Sequence, residues 1–237
     1  MMAKRHRALV TGGTRGIGAA TAVALRDAGH DVVVTGTSAD GQAPAGCEYW
    51  PANFTSTTDA EAFAGRVAKA GFSILVNNAG VNKVGPVDAY GLGDFERILD
   101  VNVVAPFLLC RAVVPGMRAQ AFGRIVNITS IFGVVSKAGR SAYSASKYGL
   151  LGLTRALALE VAADNVLVNC LAPGFVDTEL TRKVLGDAGI AEMVQQVPMG
   201  RLARPEEIAR YAAFLCSADN TFMTGQTVVV DGGFTCA

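Results

Sequence analysis

Seven short runs of consecutive β-branched and aliphatic residues punctuate the chain, and most of them show no polar alternation. They are ALVTG after Arg7, DVVVTG from Asp31, CEYWP from Cys47, SILVNN from Ser73, RIVNITS from Arg124, VLVNCLAP from Val166 and QTVVVDGG from Gln226. A strand with one wet face alternates apolar and polar positions. Continuous runs belong to strands covered on both faces, as in a parallel sheet between two helical layers. Segments of helical period fall between them, at 17–28, 58–70, 94–120, 142–161 and 205–217. Gly29 ends the first, and Pro205 followed by Glu206 and Glu207 opens the last with acids at the positive end of the helix. Between the second and third strands, TSADGQAPAG is too short and too rich in glycine and proline for a full helix, so a loop is expected in place of one crossover. The pattern predicts a doubly wound α/β (Rossmann) fold. No linker, repeat or low-complexity tract divides the 237 residues, so one domain spanning 1–237 is expected.

Composition narrows the function. Hydrophobic residues make up 51% and charged residues 17%, which implies extensive apolar burial, part of it between subunits. The net charge of +1 and the lack of a basic stripe argue against nucleic-acid binding. Five scattered cysteines without a C-x-x-C pair fit a reduced cytoplasm. The start, MMAKRHRALV, is basic and then apolar, but its apolar run ends at Thr11, too short for a signal-peptide core or a membrane span. With only His6 and His30 present, neither a histidine base nor a His-rich metal site is expected, and no metal ligands are assigned.

TGGTRGIG follows the first strand and opens the first helix. This places Gly12, Gly16 and Gly18 where backbone N–H groups and a helix N-terminus bind pyrophosphate. An NAD site calls for an acid at the end of the second strand to accept the ribose 2′-hydroxyl. Here that end reads Gly36, Thr37, Ser38, while Arg15 inside the turn suits a 2′-phosphate. NADP(H) is favoured. NAD(H), with Asp40 swinging back to serve as the acid, is the alternative.

Tyr143 and Lys147, at i and i+4 on a helix, share one face. A phenol ionises near pH ~10, so bringing it towards neutrality takes about 4 kcal/mol, the attraction of one ammonium about 4 Å away at an effective dielectric of about 20. A lysine farther off, committed to ribose hydroxyls, leaves part of that shift to the oxidised nicotinamide. Ser130, ending RIVNITS, adds a hydroxyl for the substrate oxygen.

These motifs together resemble the short-chain dehydrogenase/reductase family over essentially the whole chain. TGGTRGIG is similar to its cofactor turn, NNAG at 77–80 to its fourth-strand motif, and VNVVAPF to the segment carrying Asn102. Ser130 and Y-x-x-x-K follow in order, and APGFVDT at 172–178 resembles the turn beside the nicotinamide. The resemblance implies that Tyr143 exchanges a proton with the substrate, Ser130 orients it, Lys147 binds ribose and lowers the tyrosine pKa, and Asn102 supports a water relay. It implies cofactor contacts from Thr14, Ile17, Thr37, Ser38, Asn53, Asn78, Ala79, Gly80, Pro173, Gly174, Val176 and Thr178. Asn77 is as well explained by a bond between strands. The stretch 178–200 is similar to the family's mobile substrate lid. A homotetramer is expected by resemblance alone.

The substrate reading stays open. Asn82, Lys83, Lys137 and Arg140 occupy loops expected to face it, and their cations would suit a hydroxy or keto acid, or a sugar derivative. Resemblance to 3-oxoacyl-[acyl-carrier-protein] reductases makes an acyl-carrier substrate the alternative. Those enzymes greet an acidic carrier with basic residues, one where this chain has Arg124 and another where it has Asp164, and an acid there would repel the partner. A nucleotide-sensing relative without turnover is the remaining class.

Overall fold

The structure, a computed structural model, describes residues 5–237, apart from the side chain of Leu185; residues 1–4 of the basic start lie outside it. Seven strands form one parallel sheet: β1 (Arg7–Val10), β2 (Asp31–Gly36), β3 (Glu48–Pro51), β4 (Ile74–Asn77), β5 (Gly123–Ile128), β6 (Val166–Pro173) and β7 (Thr227–Val230), in the order 3-2-1-4-5-6-7. Successive side chains on a strand take opposite faces. Leu9, Val33, Leu75, Ile125 and Val168 enter one core, and Ala8, Val10, Val32, Val34, Ile74, Val76 and Val126 the other. Both faces are dry, which is why the strands read as unbroken apolar runs.

The helices are α1 (Gly16–Asp27), α2 (Thr57–Ala68), α3 (Leu92–Leu99), α4 (Ala105–Ala119), α5 (Ser141–Val161), α6 (Glu179–Gln196) and α7 (Pro205–Cys216). Helices α2, α4 and α5 cover the first face, and α1 and α7 the second. The connection from β2 to β3 is helix-free, as the glycine- and proline-rich segment required.

One expectation needs correction. The helix read as continuous over 94–120 is divided by a π-turn, Asp100–Val104, between α3 and α4. The β-branched residues Val101, Val103 and Val104 crowd that turn, and such turns collect at functional sites. The whole stretch Leu92–Ala119 is long and apolar enough to cross a membrane by length and composition, but 56% of its apolar window is buried inside the fold, as in a core helix.

Candidate active site

The carboxyl ends of β1 and β4 diverge where the strand order reverses, the place at which doubly wound sheets open a crevice for ligands. The β1–α1 turn forms one wall. Gly12 has φ +62°, and a Cβ there would lie 3.0 Å from the Ala79 Cα. A Cβ on Gly18 would lie 2.3 Å from the Gly12 carbonyl oxygen, so only glycine lets the helix start this close to the turn. The turn is pinned by two threonines, Thr11 at its head and Thr35 on β2. Gly12 N–H donates to Thr35 Oγ1 at 3.1 Å, and the N–H groups of Asn78 and Ala79 both donate to Thr11 Oγ1 at 3.0 Å. Arg15 caps α1 without a side-chain hydrogen bond, and the first turn holds no acid. A positive helix end without an internal anion, framed by glycines that leave no room for side chains, fits the pyrophosphate of a dinucleotide.

Several expected cofactor residues have other duties. The Asn78 amide donates to Thr11 O at 2.9 Å and Gly12 O at 3.1 Å, so it braces the turn from behind. Asn77 donates to Asn127 across the β4–β5 ladder at 2.8 Å, the inter-strand role. Val176 sends its side chain into the α1/α7 core, leaving only its main chain for a ligand. Arg15, expected to face a 2′-phosphate, sits 3.4 Å from Glu179 at the start of α6. Thr14, Thr37 and Ser38 stay exposed, with Ser38 bonded to Asp40 and its carbonyl accepting from Tyr49. Thr37 and Asn53 line an open groove of about 410 Å³ together with Asp59, Phe63 and Arg66. Ile17 packs against the second core, Pro173 closes β6, and a Cβ on Gly174 would collide with Asp231. Thr178 caps α6 by accepting from Thr181 N–H at 3.2 Å, and its methyl lies 3.3 Å from where a Gly16 Cβ would be.

The opposite wall carries Asn102, Ser130, Tyr143 and Lys147. A side chain at Gly80 would begin 3.4 Å from Asn102 Oδ1 and 3.6 Å from Lys147 Nζ, so the glycine keeps the space beside these groups open. The π-turn aims Asn102 at the loop after β4: it accepts from Val81 N–H at 2.9 Å and donates to Val81 O at 3.0 Å and Ser146 Oγ at 3.0 Å. Ser146, unremarked in sequence though it lies inside Y-x-x-x-K, donates in turn to Tyr143 O at 2.7 Å. Ser130 hydrogen-bonds the Tyr143 side chain while accepting from Phe132 N–H at 3.1 Å.

The electrostatics depart from the simplest expectation. Burial raises the Tyr143 pKa, opposed by the Ser130 hydrogen bond and by the Arg140 charge. Lys147 is buried with its ammonium donating to Ile128 O at 3.0 Å, 5.5 Å from the Tyr143 ring centre, and burial lowers its pKa to about 8. Committed to a carbonyl, the lysine is the distant cation of the two cases, which leaves part of the phenol's activation to other charges.

Among the four residues expected to face substrate, two cations are already paired. Lys83 bonds Asp94, and Lys137 lies 3.8 Å from Glu192 of α6. Asn82 buries an amide oxygen with no partner. Arg140 is only 7% exposed, and its guanidinium lies over the Phe132 ring at 5.3 Å. Among the described residues no cluster of histidine, cysteine, aspartate or glutamate could hold a metal. Arg124, expected on a carrier-facing surface, is inside, donating to the carbonyls of Gly123, Asn165, Ser217 and Asn220.

Known proteins resemble the chain over nearly its whole length. A family profile described as enoyl-(acyl carrier protein) reductase matches residues 12–235. A 3-oxoacyl-[acyl-carrier-protein] reductase of Rickettsia bellii is 37% identical over 232 residues, covering 95% of each chain. An acetoacetyl-CoA reductase of Shinella zoogloeoides is 39% identical over 233 residues, covering 95% of this chain and 97% of the relative. Among solved structures, a provisionally named NAD(P)-dependent gluconate 5-dehydrogenase from Beutenbergia cavernae, with NADP bound at low occupancy, superposes with a TM-score of 0.91 at 35% identity, covering 98% of this chain and 97% of the other. With a family profile over nearly the whole chain, relatives of 37–39% identity covered almost end to end and close superposition on solved members, the chain belongs to the short-chain dehydrogenase/reductase family of oxidoreductases.

Proposed function

We propose that the protein is an NADP(H)-dependent oxidoreductase that interconverts a carbonyl and a secondary alcohol. The observation that carries this reading is the convergence of Ser130, Tyr143 and Lys147 at one end of the sheet, beside a glycine turn shaped for pyrophosphate. The coenzyme, when bound, supplies or accepts the hydride. Tyr143 then gives its phenolic proton to the substrate oxygen during reduction, or takes it during oxidation, while Ser130 holds that oxygen in line. Lys147 exchanges the Ile128 carbonyl for the ribose hydroxyls. Asn102 holds the Val81 backbone and with it the loop that borders the site, and a water relay starting there would resupply the proton. Arg15, Thr37 and Ser38 are the groups available to a 2′-phosphate, which supports NADP(H) over NAD(H), and the groove at Thr37 and Asn53 is sized for the adenosine end.

Helix α6 serves as the lid. It is largely exposed, bends at Gly186 and anchors chiefly through buried Met193. Closure would exclude water from the reacting carbon. A second reading, reduction of 3-oxoacyl groups on acyl carrier protein, is favoured by the names of the relatives. Against it, Arg124, at one of the two positions where those enzymes greet the carrier, is buried; Asp164, at the other, is paired with Arg118 at 2.8 Å, which offsets the repulsion expected of it.

The exposed rings of Tyr211 and Phe214 line a surface groove of about 610 Å³ on α7, and Phe107, Tyr148 and Leu159 leave apolar surface on α4 and α5. Both faces suit a homotetramer, which sedimentation would check. The direct test of activity follows the absorbance of reduced nicotinamide with both coenzymes and a panel of keto acids, ketoses and acyl thioesters. NADPH-dependent turnover that disappears in Tyr143→Phe supports the reading; coenzyme binding without turnover of any carbonyl, or an active Tyr143→Phe, refutes it.

A further inference from the structure

Arg140 is a buried cation that forms no ion pair among the described residues. It sits at the N-cap of α5, three residues before Tyr143 and close enough that its charge lowers the tyrosine pKa. Its guanidinium lies over the ring of Phe132, on the loop after Ser130, at 5.3 Å, and the groups whose charge it feels are two phenols, Tyr143 on α5 and Tyr90 on the loop after β4. No carboxylate or carbonyl hydrogen-bonds it among the described residues. The acids that pair with the site's other cations are taken: Asp94 holds Lys83 and Arg97, Glu192 faces Lys137, and Glu179 faces Arg15. The other deeply buried arginine, Arg124, shows the ordinary solution, with four carbonyl acceptors around it. Burying a guanidinium without such acceptors is unfavourable, and a fold that does so beside its acid/base group holds a site that an incoming anion completes.

On the oxidoreductase reading above, we propose that Arg140 binds a free carboxylate of the substrate, and that the protein acts on short keto and hydroxy acids in preference to thioesters. Side chains at i and i+3 on a helix begin about 5–6 Å apart. With Tyr143 on the reacting oxygen, the planar guanidinium therefore reaches a carboxylate about one or two carbons from the reacting carbon, bonding both oxygens. A thioester or ester offers a neutral acceptor at the same place and leaves the charge unanswered. Lys83 and Lys137, occupied by Asp94 and Glu192, add little to this recognition.

The experiment compares acetoacetate with methyl acetoacetate and an acetoacetyl thioester, and measures malonate binding to the NADP(H) complex by calorimetry, in wild type, Arg140→Gln and Arg140→Lys. In wild type, kcat/KM for the acid exceeds that for the ester by at least about tenfold; Arg140→Gln lowers the acid-to-ester ratio by at least about tenfold, mainly through KM for the acid, and Arg140→Lys restores part of it. Malonate binding weakens in parallel. An acid-to-ester ratio unaffected by Arg140→Gln, or malonate bound equally by both proteins, overturns the proposal while leaving the oxidoreductase reading intact. Arg140-dependent malonate binding without turnover of any of the three carbonyl compounds would instead uphold the carboxylate site and count against the oxidoreductase reading.

Discussion

In the β1–α1 turn the working groups are main-chain N–H donors, exposed by glycines whose missing side chains let α1 and the Asn78–Gly80 loop close in. In α5 and the strand end facing it they are a phenol, an ammonium and a guanidinium, which burial has pushed away from their ordinary ionisation. The turn binds by backbone shape and a helix dipole, terms that depend little on pH. The α5 wall works through desolvated charges, each waiting for a partner that arrives with coenzyme or substrate. The first region is therefore stable in the form it will use, whereas the second holds unfavourable energy that binding relieves.

This contrast is open to attack at several points. The largest effect is expected from Tyr143→Phe, which removes the proton donor but keeps the ring: kcat should fall by about 10²–10⁴-fold while NADPH still binds, as stopped-flow fluorescence and steady-state rates would show. Retained turnover would end the claim that the α5 wall performs the chemistry.

In the turn, Gly18→Ala puts a methyl 2.3 Å from a backbone oxygen that cannot step aside, and should destabilise the fold by about 1–3 kcal/mol in denaturant titration and weaken NADPH binding. Gly65→Ala in α2, where nothing lies within 4 Å, should instead be neutral or stabilise by up to about 1 kcal/mol.

Replacing Lys147 with methionine should abolish turnover yet stabilise the coenzyme-free protein by about 1–3 kcal/mol, because it removes a buried ammonium. The sign with pH follows from a folded pKa of about 8 against 10.5 for an unperturbed lysine. Below pH 8 both states are protonated and the full penalty applies. Between 8 and 10.5 the unfolded chain binds a proton that the folded one has released, so wild-type stability rises with pH across that window. The methionine variant should lose this rise, and equal slopes would show that Lys147 is better solvated than its surroundings indicate.

Smaller effects belong to the exposed pair. Arg15→Ala should cut the preference for NADPH over NADH by about tenfold. Glu179→Gln, freeing Arg15 from a surface partner, should tighten NADPH binding by less than about fivefold.

Much of the fold was legible because the apolar runs report double-sided burial directly, and each of the seven became a strand within a few residues. The π-turn at Asn102 was not, since a helix that widens for one turn keeps nearly the same apolar period. The site was legible as a set of residue types, Asn102, Ser130, Tyr143 and Lys147, but not as a set of partnerships. Thr11, Thr35 and Ser146 are unremarkable in a list of residues, and they matter because their hydroxyls meet main-chain groups from elsewhere in the chain.

By itself the sequence determined the parallel sheet, the pyrophosphate turn and the register that places a lysine one helical turn beyond a tyrosine, because each follows from local spacing and from what glycine alone permits. Only the tertiary structure decided which charges are spent and which are free. Lys83 and Lys137 find acids on other elements, Lys147 finds the Ile128 carbonyl, and Arg140 is left over the Phe132 ring. Ion pairing and desolvation depend on residues far apart in the chain, and no local pattern encodes them.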